Sequence, residues 1–134
     1  MGYYANSSDG NITIPYNRLG DLLNAVAEQY TAYNNDPLWG THGQLTIPAD
    51  TDALYDELAN AGFEYEDDGV LIDGSTEYLV ISSYDGKWRM WTEALLRALV
   101  SVATPDSTMS FRGEDNEMWR FTPQGIQNAK IEWV

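Results

Sequence analysis

Cysteine is absent from all 134 residues, so the chain has no disulfide framework, no thiolate nucleophile and no Cys-ligated metal. That absence suits a reducing cytoplasm. Histidine occurs once, at His42, which leaves a single imidazole for any triad or metal site. Basic residues are scarcest where acids are densest. Residues 1–86 carry fifteen Asp and Glu against one base, Arg18, and residues 50–77 carry ten carboxylates with no Lys or Arg. Residues 87–134 hold six acids and six bases, so the formal charge of −14 belongs to the first two thirds of the chain. Such a surface repels nucleic acid and anionic membranes and attracts basic partners. Long apolar runs are missing too. Residues 94–103 form the longest one, interrupted by Arg97 and short of the roughly 20 residues that a membrane helix needs. Residues 1–10 lack both a basic n-region and an apolar h-region, so no secretory signal is expected. No P-loop and no Gly-x-Gly-x-x-Gly occurs, and no nucleotide or other cofactor is expected.

What is present points to a folded domain. Five Trp, nine Tyr and a hydrophobic fraction of 43% are too rich for an acidic disordered tail, because each buried ring removes a large apolar area from water. A chain of this length buries roughly 65 to 70% of its unfolded surface, enough for one independent core over residues 1–134. Asp9-Gly10-Asn11 reads as a turn before the β-branched run Ile12-Thr13-Ile14, which Pro15 stops. Asn17 is placed to cap a helix with Leu19, Leu22, Leu23, Val26 and Tyr30 on one face, fraying by Asn34-Asn35. Leu45-Thr46-Ile47-Pro48 echoes Ile12-Thr13-Ile14-Pro15, which reads as shared punctuation rather than duplication. A second helix is expected from Asp50 or Thr51 to Ala61, with Gly62 as its left-handed C-cap.

From Phe63 the period becomes two: Phe63 and Tyr65 alternate with Glu64, Glu66 and Asp68. Asp67-Asp68-Gly69 is expected to turn the chain, Val70-Leu71-Ile72 and residues 77–82 to form further strands, and Asp85-Gly86 to end the run. A third helix is expected over about residues 88–102, with Trp88, Trp91, Leu95, Leu99 and Val102 as its core stripe. Arg89, Glu93 and Arg97 are spaced for two surface ion pairs. Residues 108–134 read as an aromatic β-meander. Its turns fall at residues 113–116 and at Pro123-Gln124-Gly125, and Ala129, Ile131 and Trp133 share one face of its last strand. The sum is an α+β domain: an antiparallel sheet of six or seven short strands with about three packed helices.

Met1-Gly2-Tyr3-Tyr4, the stretch Phe111-x-Gly113-Glu114-Asp115-x-x-Met118-Trp119-Arg120 and Ile131-x-Trp133 resemble the ends of a group of small proteins from actinobacteria and their phages. The likeness covers about a third of the chain and leaves out the acidic middle. It implies a phage or actinobacterial origin and a cytoplasmic setting in a bacterial host, and it brings no activity.

The acidic belt is the first candidate site. On a strand, Glu64, Glu66 and Asp68 project from one face about 6.6 Å apart, and Asp52 and Asp56 lie one turn apart on the preceding helix beside Glu57. Together with Asp67 they can present negative charge to a basic DNA-binding groove, in imitation of phosphates. The plain alternative is a solvated face that keeps the protein soluble. Trp39, in a Pro/Gly-flanked loop, can anchor a partner or close over the core. Asp67, Asp68, Asp73 and Glu77 cluster around two Asp-Gly turns without the spacing of a calcium loop, so no metal is expected. His42, between Gly40 and Gly43, is a weak catalytic base, and a carboxylate pair for hydrolysis can be drawn from any chain with 21 acids. Trp88, Trp91, Trp119 and Trp133 fit core packing better than a stacking platform. The function expected is non-enzymatic: a phage-type accessory protein binding a basic host protein, with nucleic-acid-binding enzymes as the foremost class, and no direct contact with nucleic acid or membrane. The alternatives are an assembly component docking through the aromatic meander, and a small carboxylate-dependent hydrolase.

Overall fold

A computed structural model describes residues 3–37, 44–71, 77–115 and 117–128. Ten short elements follow one another: β1 (Tyr3–Pro15), a 3-10 turn (Tyr16–Arg18), α1 (Leu19–Asn35), α2 (Thr51–Ala61), β2 (Phe63–Leu71), β3 (Glu77–Trp88), α3 (Met90–Ser101), β4 (Thr108–Gly113), β5 (Met118–Thr122) and β6 (Gly125–Asn128). The strands form one antiparallel sheet in the order β2-β3-β1-β4-β5-β6. The fold is α+β, as the alternating periods of the sequence require.

The first strand is the centre of the sheet, paired with β3 on one side and β4 on the other. The Asp9-Gly10-Asn11 turn is therefore not formed. The strand runs straight through it, with register shifts between Ser7 and Asp9 against β4 and between Asn6 and Ile12 against β3. Gly10 takes a φ of 95°, and a Cβ there would collide with the Thr108 carbonyl, so the glycine serves a bulge against a neighbouring strand. The same substitution of bulge for turn occurs in β2. Pairing moves from Glu66 with Val80 to Val70 with Tyr78, so residues 67–69 are absorbed as a bulge and the strand continues to Leu71. Asp85-Gly86 likewise does not end β3, because Gly86 pairs with Ala5 and Trp88 with Tyr3 on the long central strand.

Trp88 thus belongs to a strand rather than to α3, which begins at Met90 after an extended Arg89. One surface pair forms on α3, between Arg97 and Glu93 at 3.3 Å. Arg89, outside the helix, lies instead over the Trp91 ring at 5.8 Å. At the other helix starts, Asn17 sits inside the 3-10 turn and makes no cap, whereas Asp50 accepts from the Ala53 N–H at 2.9 Å and Gly62 ends α2 with a φ of 113°. Residues 44–49 form no strand. Asn34 holds them instead, its side chain accepting from the Leu45 N–H at 2.7 Å and donating to the Leu45 carbonyl at 3.0 Å. The echo of the first strand is punctuation alone. Residues 129–134, and with them Ala129, Ile131 and Trp133, lie outside the described residues, as do residues 72–76.

The core lies between the sheet and the helices. Ile12, Ile14, Leu79, Ile81, Met109 and Phe111 from the strands meet Leu22 and Val26 of α1, Leu54 and Leu58 of α2, and Leu95, Leu96 and Leu99 of α3, all fully buried. Each such side chain contributes roughly 1.5–3 kcal/mol relative to exposure. Among the described residues, the meander aromatics Phe111, Trp119 and Phe121 are spent on this core. Trp119 stacks on Phe111 with centroids at 5.9 Å, and Trp88 meets Trp119 edge-on at 5.1 Å and Phe111 at 5.3 Å. The opposite sheet face carries Tyr4, Asn6, Glu64, Glu66, Asp85 and Arg112, all exposed, and among the described residues no helix packs on it. Also among the described residues, no helix is long and apolar enough to cross a membrane.

Candidate functional site

The acidic belt is built from α2 and the edge strand β2. Leu54, Leu58 and Ala61 turn inward, which places Asp52 and Asp56 on the solvent side of α2. Tyr55, on the flank of that helix, stacks on Tyr65 of β2 with centroids 5.3 Å apart and planes 21° apart. That contact fixes which way β2 faces: Phe63 and Tyr65 look toward the helices, so Glu64 and Glu66 emerge on the open face of the sheet. The four exposed carboxylates therefore occupy two flanks of one edge. They make a ridge, an arrangement that the sequence pattern left open.

Glu57 is placed differently. It is half-buried and accepts a 2.6 Å hydrogen bond from the hydroxyl of Tyr30, a fully buried residue of α1. Burial, then the bond to Glu57 and its negative charge, hold the Tyr30 phenol well above its ordinary range. Glu57 thus ties α2 to α1 and is not part of the exposed array. Glu64 is steadied from its own side of the sheet by the Ser83 hydroxyl, which donates to its carboxylate at 2.8 Å. The backbone of Asp67 and Asp68 lies in the β2 bulge. Their side chains, together with Trp39, His42 and Asp73, fall outside what the structure describes.

Two ion pairs occur among the described residues, Arg18 with Asp21 at 3.2 Å and Arg97 with Glu93, and neither involves the belt. Arg18, the one base of the first 86 residues, also donates to the Val102 carbonyl at 3.3 Å and so caps the C-terminal end of α3. No base is left to neutralise Asp52, Asp56, Glu64 or Glu66 from within residues 50–77. No group of three or more His, Cys, Asp or Glu able to hold a metal ion is present among the described residues.

Two surface cavities lie apart from the belt. One, of about 260 Å³, lies between α1, α3 and the β5–β6 turn, over Val100, Phe121 and Ile126. The other, of about 210 Å³, lies on the open sheet face around Tyr4, Asn6, Asp85 and Arg112. Neither is lined by a belt residue, and no spacing in the sequence announces the second, because its side chains come from β1, β3 and β4. Compared with protein-family models, with curated proteins and with solved structures, the chain matches none.

Proposed function

We propose that the chain is a non-enzymatic accessory protein of phage type, acting in the cytoplasm of a bacterial host, that binds and inhibits or redirects a basic host protein. The observation that carries this reading is the α2–β2 edge. Asp52, Asp56, Glu64 and Glu66 are exposed on adjacent elements, outside both ion pairs of the described residues and within a stretch that has no base. A ridge with carboxylates on both flanks is the complement of a groove lined with Lys and Arg, the kind of groove that nucleic-acid enzymes use for phosphates. The same charge turns nucleic acid and anionic lipid away. The absence of cysteine and the resemblance of both chain ends to small phage proteins support the setting. Docking through the meander aromatics has less support, since Trp119 packs against Phe111 and Trp88.

The test is capture of host proteins on the immobilised, nuclease-treated chain, eluted by a salt step and then by duplex DNA. A basic nucleic-acid enzyme released by both eluents supports the reading. Retention of that partner by a variant carrying Asp52→Asn, Asp56→Asn, Glu64→Gln and Glu66→Gln would sink it.

A further inference from the structure

The open sheet face holds a second feature, independent of the acidic edge. Tyr4 is 55% exposed, one of two large hydrophobic side chains left in the open among the described residues. It lines the 210 Å³ groove together with Asn6, Asp85, Arg112 and Glu114. Across that groove runs a row of three planar polar groups. Asn6 of β1 pairs in register with Asp85 of β3 on one side and with Arg112 of β4 on the other. Asp85 and Arg112 are two strand spacings apart, about 10 Å, with Asn6 between them, and they form no ion pair.

These groups have little to do within the protein. Among the described residues the side chains of Asn6 and Asp85 make no hydrogen bond, and the Arg112 guanidinium reaches only the Met118 Sδ, a weak acceptor, at 3.9 Å. Glu114, at the end of the groove, accepts from the Tyr4 N–H at 3.2 Å through Oε1, while its own N–H donates to the Tyr4 carbonyl at 3.0 Å, so the strand end that carries Tyr4 is pinned. The row therefore offers an acceptor (Asp85), a group that both donates and accepts (Asn6) and a donor (Arg112), beside an aromatic face.

We propose that this groove binds a neutral sugar unit of a glycan. Neighbouring hydroxyls both donate and accept, which satisfies a carboxylate, an amide and a guanidinium in one row, and the apolar C–H face of a sugar ring packs on Tyr4. The charge excludes anionic ligands, because two carboxylates face one guanidinium in a chain of net −14. The volume is below the range for drug-sized or dinucleotide ligands and fits one ring.

The test is a titration of the isotope-labelled, full-length chain by two-dimensional NMR with glucose, galactose, mannose, N-acetylglucosamine and a tetramer of each. Inorganic phosphate is the anionic comparison. The expected result is a shift of the Tyr4, Asn6, Asp85 and Arg112 amides by at least one sugar, with a Kd of about 1 mM. Tyr4→Ala should weaken that binding roughly five- to tenfold. Arg112→Gln, an exposed change with an unaltered melting temperature, should weaken it as well. Silence of these amides up to about 10 mM of every sugar, ten times that Kd, would overturn the proposal. So would a larger response to phosphate than to any sugar, or equal affinity in Tyr4→Ala.

Discussion

Gly62→Ala is the sharpest test of how α2 is joined to the sheet. Gly62 ends α2 at a φ of 113° and donates to the Leu58 and Ala59 carbonyls, while its own carbonyl accepts from the Asp85 N–H at 3.0 Å. A Cβ at this position would lie 2.7 Å from the Asp85 carbonyl oxygen, which is backbone and cannot swing away. Two costs therefore add. The left-handed conformation costs a residue with a Cβ about 1–2 kcal/mol, and forcing α2 and β3 apart costs roughly 1–3 kcal/mol more. Set against a typical total of about 5–15 kcal/mol, the loss lowers the melting temperature by about 10 °C. Two other glycines separate the terms. Gly125 also has positive φ, 139°, but a Cβ there meets nothing within 4 Å, so Gly125→Ala should lose only the conformational part. Gly20 lies in α1 with open space around it, and Gly20→Ala should stabilise by about 0.5–1 kcal/mol. Urea unfolding of the three variants gives the order directly. If Gly62→Ala lost no more than Gly125→Ala, the close approach of α2 to β3 would be wrong.

Tyr30 and Tyr84 give the protein an alkaline limit. Both phenols are raised, chiefly by burial, above an ordinary value of 10.0, so the folded state holds their protons where the unfolded state has begun to release them. Their stability contribution is complete below pH 10 and is lost as pH rises beyond it. Melting temperature should fall above about pH 10, and Tyr30→Phe should flatten part of that slope while costing roughly 1.5–3 kcal/mol at neutral pH for the lost bond to Glu57; an unchanged slope would contradict the buried pair. The uncompensated acids give a salt effect of definite sign. Melting temperature should rise between low ionic strength and about 0.15 M NaCl, where the Debye length is about 8 Å, and a fall over that range would argue against clustered negative charge.

Local interactions made much of this protein readable from its residues. Asp50 and Gly62 bound α2 because a cap acts on backbone groups within one turn. The inward faces of α1 and α3 follow from 3.6-residue spacing, and the outward direction of Glu64 and Glu66 from strand alternation. The turns that did not form share one cause. Asp9-Gly10-Asn11, Asp67-Asp68-Gly69 and Asp85-Gly86 carry turn residues, yet each lies inside a strand, because pairing with a long neighbour satisfies more backbone hydrogen bonds than a local turn does. Trp88 kept helical spacing with Trp91 but was drawn into β3 by pairing with Tyr3 and packing on Phe111 and Trp119.

The sequence by itself determined the fold class, the helix limits around α2, the composition of the core and the concentration of acid in residues 50–77, because these depend on the order of neighbouring residues and on which side chains water expels. Tertiary structure alone decided that the first strand is the centre of the sheet, that the acids stand on two flanks of one edge, that Glu57 serves Tyr30, and that Asp85, Asn6 and Arg112 form a row beside Tyr4. Each of these is a pairing between residues far apart in the chain, settled by how the strands register once the core has closed.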